Sequence, residues 1–187
     1  MRRPLATFFN PKDTKDQVLD KSKLSAIQRA FKIIDCIYLL LLGVGIGAIV
    51  ACGAFTAPIV FNMASFTSQE ASQILTVADS GQVMGQIFLR LNAYLIILLV
   101  LMPAYEIASL VYRPQYPKLW LLLALFAAGG IGLFAWFYTP FILDASNLES
   151  ENFDSMHKQS VWVFQAIMIS LSLLFISRAY SLHSKNC

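Results

Sequence analysis

Few side chains in this sequence can do chemistry, and the most unusual of them lie inside a long apolar run. Arg90 and Asn92 occur in QIFLRLNAYLIILLVLM (residues 86–102), a stretch that is otherwise mostly apolar. A guanidinium near the centre of a bilayer costs about 2.5–3.5 kcal/mol on insertion scales. Something is therefore expected to face this charge, either a carboxylate that pairs with it or a polar solute that it recognises.

A second set of residues could bind a soft metal ion. Met63, Met84 and Met156 fall near the ends of apolar runs, and His157 follows Met156 directly. Thioether and imidazole ligands suit Cu(I), and a histidine can also titrate near neutral pH. Methionine is equally a packing residue of membrane helices, so this metal site requires that the fold brings the four residues together.

The sequence offers little support for an enzyme. His157 and His183 are the two histidines, and His183 lies in the C-terminal tail, which excludes a bis-histidine haem within one chain. No nucleophile–base pair, phosphate-binding glycine loop or dinucleotide fingerprint occurs. The cysteines have no CxxC or metal spacing. The sequence therefore predicts no catalytic residue and implies no cofactor.

The elements that must position these residues are membrane-spanning helices. The chain is 57% hydrophobic and 13% charged, whereas soluble domains have about 25% charged residues. Each of four apolar runs reaches the ~20 residues that a helix needs to cross a bilayer. We predict an all-α, polytopic membrane protein, an up-down bundle of four transmembrane helices at about 33–61, 83–112, 119–143 and 156–180.

The distribution of Lys and Arg predicts how this bundle is oriented. Basic residues are concentrated in residues 1–32, in the short link between the second and third helices, and in the C-terminal part. The two longer loops contain acidic residues and no Lys or Arg. Cytoplasmic loops collect basic residues, so residues 1–32 and the tail 181–187 are expected to be cytoplasmic, in a bacterial inner membrane. The lipid bilayer is the expected partner, and a nucleic acid is not.

One alternative concerns the N-terminal processing of the chain. IVAC (Ile49–Cys52) fits a lipoprotein cleavage box with Cys52 as the lipidated residue. The apolar segment continues through GAFTAPIVF without a polar break, and its length exceeds the 7–15 residues of a signal-peptide core. We expect Cys52 to be a packing residue and the N-terminus to be retained.

In this topology, polar side chains from several helix ends meet at the outer side of the membrane. Arg90 lies in the outer third of the second helix and is expected to face the bundle interior, paired with Asp144 or another outer carboxylate and assisted by Tyr138. A structural lock between helix ends, a binding site open to the outside, and an arginine that extends to the interface are the three interpretations. We call this set the outer polar cluster: Arg90, Asn92, Tyr138, Thr139, Asp144, His157, Lys158 and Ser160.

Glu106 lies too far along the second helix to pair with Arg90. Sixteen residues separate them, which is about 24 Å at 1.5 Å per residue. Arg113 follows Glu106 by seven residues on the same face, so an ion pair between these two is expected at the inner interface.

Small residues predict where the helices approach one another closely. Gly43, Gly47 and Ala51 recur every fourth residue in the first helix, and Ala128 and Gly132 have the same spacing in the third. This spacing lets helix backbones come together. The glycine face of the first helix could equally receive another membrane protein or a second copy of the chain.

Five short motifs in chain order resemble one bacterial family of small membrane proteins. It is the family of the domain of unknown function 4149, also described as transmembrane protein 205-like. The motifs are GAFTAPIVF (Gly53–Phe61), IFLRLN (Ile87–Asn92), YE (Tyr105–Glu106), YTPFI (Tyr138–Ile142) and SMHKQS (Ser155–Ser160). The resemblance covers roughly Ile33 to Tyr180 and implies a four-helix inner-membrane protein, without an established activity.

Three functions follow as hypotheses. The first is binding or transport of a cation, metal or small polar solute at an outward-facing site, since an acidic rim concentrates cations. The second is a structural or assembly subunit that binds another membrane protein. The third is a redox or haem-linked membrane enzyme with His/Met ligation. We favour the first.

Overall fold

The structure is a computed structural model, and it describes residues 11–65, 77–113, 117–147 and 150–184. Two π-helical segments, Ala51–Thr56 and Phe134–Tyr138, each join two α-helices end to end. No β-strand occurs within these ranges, so the predicted all-α class is confirmed. The α-helices are α1 (Pro11–Val50), α2 (Ala57–Phe61), α3 (Val77–Tyr112), α4 (Lys118–Leu133), α5 (Thr139–Leu143) and α6 (Phe153–Ser184).

These helices contain four segments that are long and apolar enough to cross a membrane. Each exceeds the ~20 residues that a crossing requires, and large apolar side chains such as Phe55, Val111, Phe126 and Trp162 are exposed along them. The chain is an integral, multi-pass membrane protein whose exposed apolar surface contacts lipid. The first to fourth spans are Arg29–Phe61, Asp79–Tyr112, Lys118–Leu143 and Phe153–Leu182.

The first α-helix begins well before the apolar run. Pro11 is its first residue, a position where proline's missing N–H and fixed φ are tolerated, and no further proline follows before Pro58. The chain divides into two compact units, Met1–Ile37 and Tyr38–Cys187. The described part of the first unit is helical, and its Asp35 is buried. The sites discussed below lie in the second unit.

Within the second unit, the second span packs on the third and the third on the fourth. The second and third spans are joined by the short link between Tyr112 and Lys118, as expected for antiparallel neighbours. The core contains Leu95, Leu98 and Met102 of the second span, each fully buried. Tyr94 ties the second span to the first, since its hydroxyl donates to the carbonyl oxygen of Leu41 at 2.7 Å.

The first and third spans share one local structural feature near their predicted outer ends. Each has a π-helical segment followed by a short α-helix that contains a proline, Pro58 in α2 and Pro140 in α5. At the end of each π segment a threonine hydroxyl donates to the carbonyl five residues earlier, from Thr56, the last π residue, to Ala51 and from Thr139, the first residue of α5, to Phe134, both at 2.9 Å. A proline removes an N–H and crowds the preceding turn, and the wider π turn accommodates both effects.

The glycines with the closest neighbours are Gly85, which faces Leu143, Gly45 and Gly130, and none of them belongs to a predicted seam. A Cβ at Gly45 would lie 2.7 Å from Leu98 Cδ1, and one at Gly130 would lie 2.9 Å from Ile167 Cγ1. By contrast, Gly47 and Ala51 are exposed, and a Cβ at Gly47 would meet no atom within 4 Å.

The two remaining glycines of the predicted seams make contacts of intermediate closeness. A Cβ at Gly43 would lie 3.6 Å from the Phe175 ring, and one at Gly132 would lie 3.5 Å from Leu99 Cδ1. Close approach of the first span to the second therefore occurs at Gly45, two residues from Gly43 and Gly47 and so on a different face of the helix from the predicted seam.

Candidate functional site

Among the described residues of the second unit, Glu106 and Arg178 are the buried charged side chains. Arg178 Nε lies 3.4 Å from Glu106 Oε1, with side-chain exposures of 4% and 0%. Tyr38 donates its hydroxyl to the same Glu106 oxygen at 2.8 Å. Arg178 Nη2 donates to Ser109 Oγ at 3.2 Å. The first, second and fourth spans thus contribute polar groups to one buried point.

Aromatic rings surround the guanidinium of Arg178. Its Cζ lies 4.6 Å from the Tyr105 ring centroid, 4.8 Å from that of Trp120 and 5.7 Å from that of Tyr38. The Tyr38 and Tyr105 rings are stacked, with centroids 3.8 Å apart. A cation within about 6 Å of a ring centroid is attracted by the ring face, more strongly when desolvated. We call this set the buried ionic cluster: Tyr38, Tyr105, Glu106, Ser109, Trp120 and Arg178.

Helical periodicity places the carboxylate of this cluster in the core. Glu106 follows Leu98 and Met102 at four-residue steps, and these positions share one face of the second span. Residues on that face are buried because it packs against the neighbouring helices. Glu106 therefore continues a buried apolar row instead of pointing to lipid.

The same periodicity buries Arg178, which the sequence analysis counted only among the basic residues of the C-terminal part. Arg178 follows the fully buried Leu171 and Leu174 by seven and four residues, which is one face of the fourth span. This spacing from Leu171 and Leu174 is the feature of the sequence that predicts a buried Arg178. The cation recorded on Glu106 is thus Arg178, and a pair of Glu106 with Arg113 stays a prediction.

Arg90, by contrast, lies on the surface of the bundle. It is exposed, and its Nη1 donates to the carbonyl oxygen of Gln86 at 3.1 Å, one turn earlier on its own helix. The prediction that it faces the bundle interior is wrong, and in the described ranges no ion pair joins it to Asp144. Helical side chains tilt toward the helix N-terminus, which here is the predicted outer end, so Arg90 extends toward the interface.

The outer polar cluster nevertheless contains one buried contact between spans. Asn92 Nδ2 donates to Thr139 Oγ1 at 2.8 Å, joining the second span to the third. The other amide atom, Asn92 Oδ1, is buried and has no hydrogen-bond partner among the described residues. Such an atom loses its hydration without a replacement bond, which is costly.

Tyr138 links the third and fourth spans at the same end of the bundle. Its hydroxyl donates to Gln159 Oε1 at 3.2 Å, and its ring is buried. Ser160, also buried, donates to the carbonyl oxygen of His157 at 2.6 Å.

The titratable members of the outer polar cluster remain at the surface. His157 is exposed and stacks on the ring of Phe153, and Lys158 pairs with Asp154 at 2.6 Å, both exposed. Asp144 Oδ1 accepts hydrogen bonds from the backbone and hydroxyl of Ser146, and these bonds lower the pKa of Asp144. These charges are engaged locally and do not converge on the buried Asn92–Thr139 contact.

A partly open, apolar cavity of about 80 Å³ lies beside this end of the bundle. Its walls include the rings of Phe88, Phe134 and Phe164, with Thr139 and Ser160 among the polar residues that border it. The three rings contact one another, with centroids 5.0–5.9 Å apart. Both bordering hydroxyls already donate to backbone carbonyls, so the cavity surface is nearly all carbon.

The predicted metal ligands do not form an evident centre. Met84 is buried, Met63 and Met156 are half-buried, and His157 is exposed. Across the ranges that the structure describes, no group of three or more His, Cys, Asp or Glu side chains could hold a metal ion. Methionine-rich ligation of Cu(I) at these four residues stays a prediction.

Comparison with known proteins gives one match. The family described as a domain of unknown function (DUF4149) matches residues 40–151, more than half of the 187-residue chain. The matched range includes Glu106 and Trp120, and it ends before the fourth span and Arg178. No curated protein and no solved structure matches the chain.

Proposed function

Since the chain belongs to the family described as a domain of unknown function, DUF4149, which carries no assigned chemistry, we propose its function from its own buried charges. The protein binds or transports a small charged solute inside its helix bundle, at the buried ionic cluster. The observation that carries this proposal is the ion pair of Glu106 with Arg178, whose side chains are 0% and 4% exposed.

The energetic cost of burying this pair supports a functional role. Replacing a buried ion pair by well-packed apolar residues is often neutral or stabilising. An Nε–Oε1 distance of 3.4 Å is also longer than the 2.7–2.9 Å of strong charge-assisted bonds. Ionisable residues inside membrane spans are rare and commonly mark solute or ion pathways.

The depth of the cluster supports exchange with water on one side. Glu106 lies six residues before Tyr112, the end of the second span, which is about 9 Å along the helix. Arg178 lies four residues before Leu182, the end of the fourth span, or about 6 Å. A solute would enter from the predicted cytoplasmic side, which the positive-inside distribution of Lys and Arg supports.

The outward-facing site is the second candidate, and one observation favours it. Asn92 Oδ1 is buried without a hydrogen-bond partner in the described ranges, next to the Thr139 hydroxyl that also borders the apolar cavity. A small solute with a hydrogen-bond donor and an apolar body would suit this position. We rank it second because the charged residues Arg90, Asp144 and Lys158 are engaged elsewhere.

The location in a bacterial inner membrane, with both termini cytoplasmic, is part of the same proposal. So is the finer relationship to transmembrane protein 205-like proteins, which the five sequence motifs support.

The proposed function is tested by thermal unfolding of the purified full-length protein in detergent. Sodium acetate, sodium phosphate, magnesium chloride and ethylguanidinium chloride serve as probes, each against sodium chloride at equal ionic strength. A ligand that binds the folded state raises the melting temperature. We expect at least one probe to do so for the wild type and not for Glu106→Gln. If no probe shifts the wild-type melt, the cluster is a structural lock and the proposal fails.

A further inference from the structure

We infer that the buried ionic cluster is a site for an organic cation of the guanidinium or quaternary ammonium type, which Arg178 occupies as a tethered stand-in. This inference rests on the proposed function and names the class of solute. It follows from what surrounds the guanidinium: three aromatic ring faces and one buried carboxylate.

The aromatic rings select for the sign of the charge. Tyr38, Tyr105 and Trp120 hold the Arg178 guanidinium with centroids 4.6–5.7 Å from Cζ. Ring faces carry the negative part of the aromatic quadrupole, so they attract a cation and repel an anion. Aromatic cages of this kind recognise quaternary ammonium and related cations.

The other groups of the cluster select for an organic cation over a hard metal ion. The oxygen atoms of the cluster include those of Glu106 and Ser109, which contact Arg178, and the Tyr38 hydroxyl, which donates to Glu106. Magnesium and calcium require six or more oxygen ligands, including waters, and carbon ring faces cannot supply them. A guanidinium or alkylammonium ion is instead stabilised both by aromatic ring faces and by one carboxylate.

Arg178 is placed so that it can leave without stranding a charge. It lies about 6 Å from the end of the fourth span, so a long basic side chain reaches the interface once it rotates from the N-terminal direction in which helical side chains tilt. An incoming cation would then neutralise Glu106 in its place. Since one cation replaces another, the net charge of the cluster is unchanged. An incoming anion would have to displace Glu106, which is fully buried and has a shorter side chain.

The first test removes the Arg178 side chain from the buried ionic cluster. Arg178→Ala removes the tethered cation, and ethylguanidinium supplies a free one of similar shape, while ethylurea is its uncharged counterpart. We expect ethylguanidinium at ten times its dissociation constant to raise the melting temperature of Arg178→Ala by about 3–6 °C. Ethylurea should have no effect, and adding Glu106→Gln should abolish the rise. An equal response to ethylurea overturns the inference.

The second test uses the wild type and does not depend on the folding of Arg178→Ala. Titration of the detergent-solubilised protein with ethylguanidinium and tetraethylammonium should show saturable binding that weakens at least tenfold in Trp120→Leu. Trp162→Leu is the matched control, because Trp162 is an exposed tryptophan on the fourth span, outside the cluster.

The outcomes separate this inference from the proposed function. A wild-type response to acetate or phosphate alone overturns the organic-cation inference and leaves the proposed function standing. Rescue of Arg178→Ala without any wild-type binding also overturns the inference, since Arg178 would then be a permanent occupant. No wild-type response to any probe contradicts both.

Discussion

Arg178 and Glu106 meet inside the bundle although they belong to the fourth and second spans, with Nε and Oε1 3.4 Å apart. Because Tyr38 of the first span donates to the same carboxylate and Trp120 of the third span packs on the guanidinium, all four spans converge there. The contact therefore joins all four spans at one small buried cluster.

The first prediction concerns the energetics of this pair. Glu106→Leu and Arg178→Leu should each destabilise the protein by about 3–5 kcal/mol, because each leaves an uncompensated buried charge. The double substitution should recover most of the loss. Unfolding in detergent, followed by circular dichroism, measures the coupling. Additive losses in the double variant would show that the two charges do not interact.

The second prediction concerns Arg90 and Asp144. Their charges have separate partners, Gln86 O for Arg90 and Ser146 for Asp144. We expect the effects of Arg90→Leu and Asp144→Leu on the free energy of unfolding to add within about 0.3–0.5 kcal/mol. A double-mutant cycle on thermal melts checks this. A coupling energy above about 1 kcal/mol would instead support an ion pair between Arg90 and Asp144 in the bundle interior.

The third prediction concerns the Asn92–Thr139 contact. Thr139→Val removes the acceptor of Asn92 Nδ2 and should cost about 1–3 kcal/mol, because a buried amide then lacks a partner. Thr56→Val is the matched control: Thr56 has the same hydroxyl bond within its π segment, but that bond is exposed. Equal losses of stability in the two variants would mean that the hydroxyl of Thr139 stabilises the protein through its bond to the π segment and not through its bond to Asn92.

The fourth prediction compares two glycines of the first span. Gly45→Val should destabilise the protein by about 1–3 kcal/mol more than Gly47→Val, because its new atoms meet the fully buried Leu98. At Gly47 there is open space within 4 Å, and the intrinsic helix propensities cancel in the comparison. A greater loss at Gly47, measured in detergent, would indicate that this exposed face packs against another chain.

The fifth prediction concerns orientation in the membrane. A reporter fused at Asn147 should be active on the outside, and one fused after Cys187 should report the cytoplasm, as the basic and acidic segments predict. A cytoplasmic Asn147 would invert the bundle and place the buried ionic cluster near the outer face.

The sequence by itself determined the class and the elements of this protein. Four apolar runs of more than about 20 residues predict four spanning helices, because no unpaired backbone is tolerated in lipid. Within each helix the 3.6-residue period also decides which side chains are buried. At 100° per residue, Glu106 lies about 40° around the second span from the fully buried Met102, whereas Arg90 lies about 120° from it.

What only the tertiary structure decided is which rows face one another. Periodicity gives the buried face of each span but neither its rotation nor its depth relative to the others, since these depend on side-chain packing across all spans at once. Glu106 was therefore predicted to pair with the nearby Arg113, whereas the recorded cation is Arg178 from a distant part of the chain. The aromatic cage exists for the same reason: Tyr38, Tyr105 and Trp120 come from three spans and become neighbours only when the bundle closes.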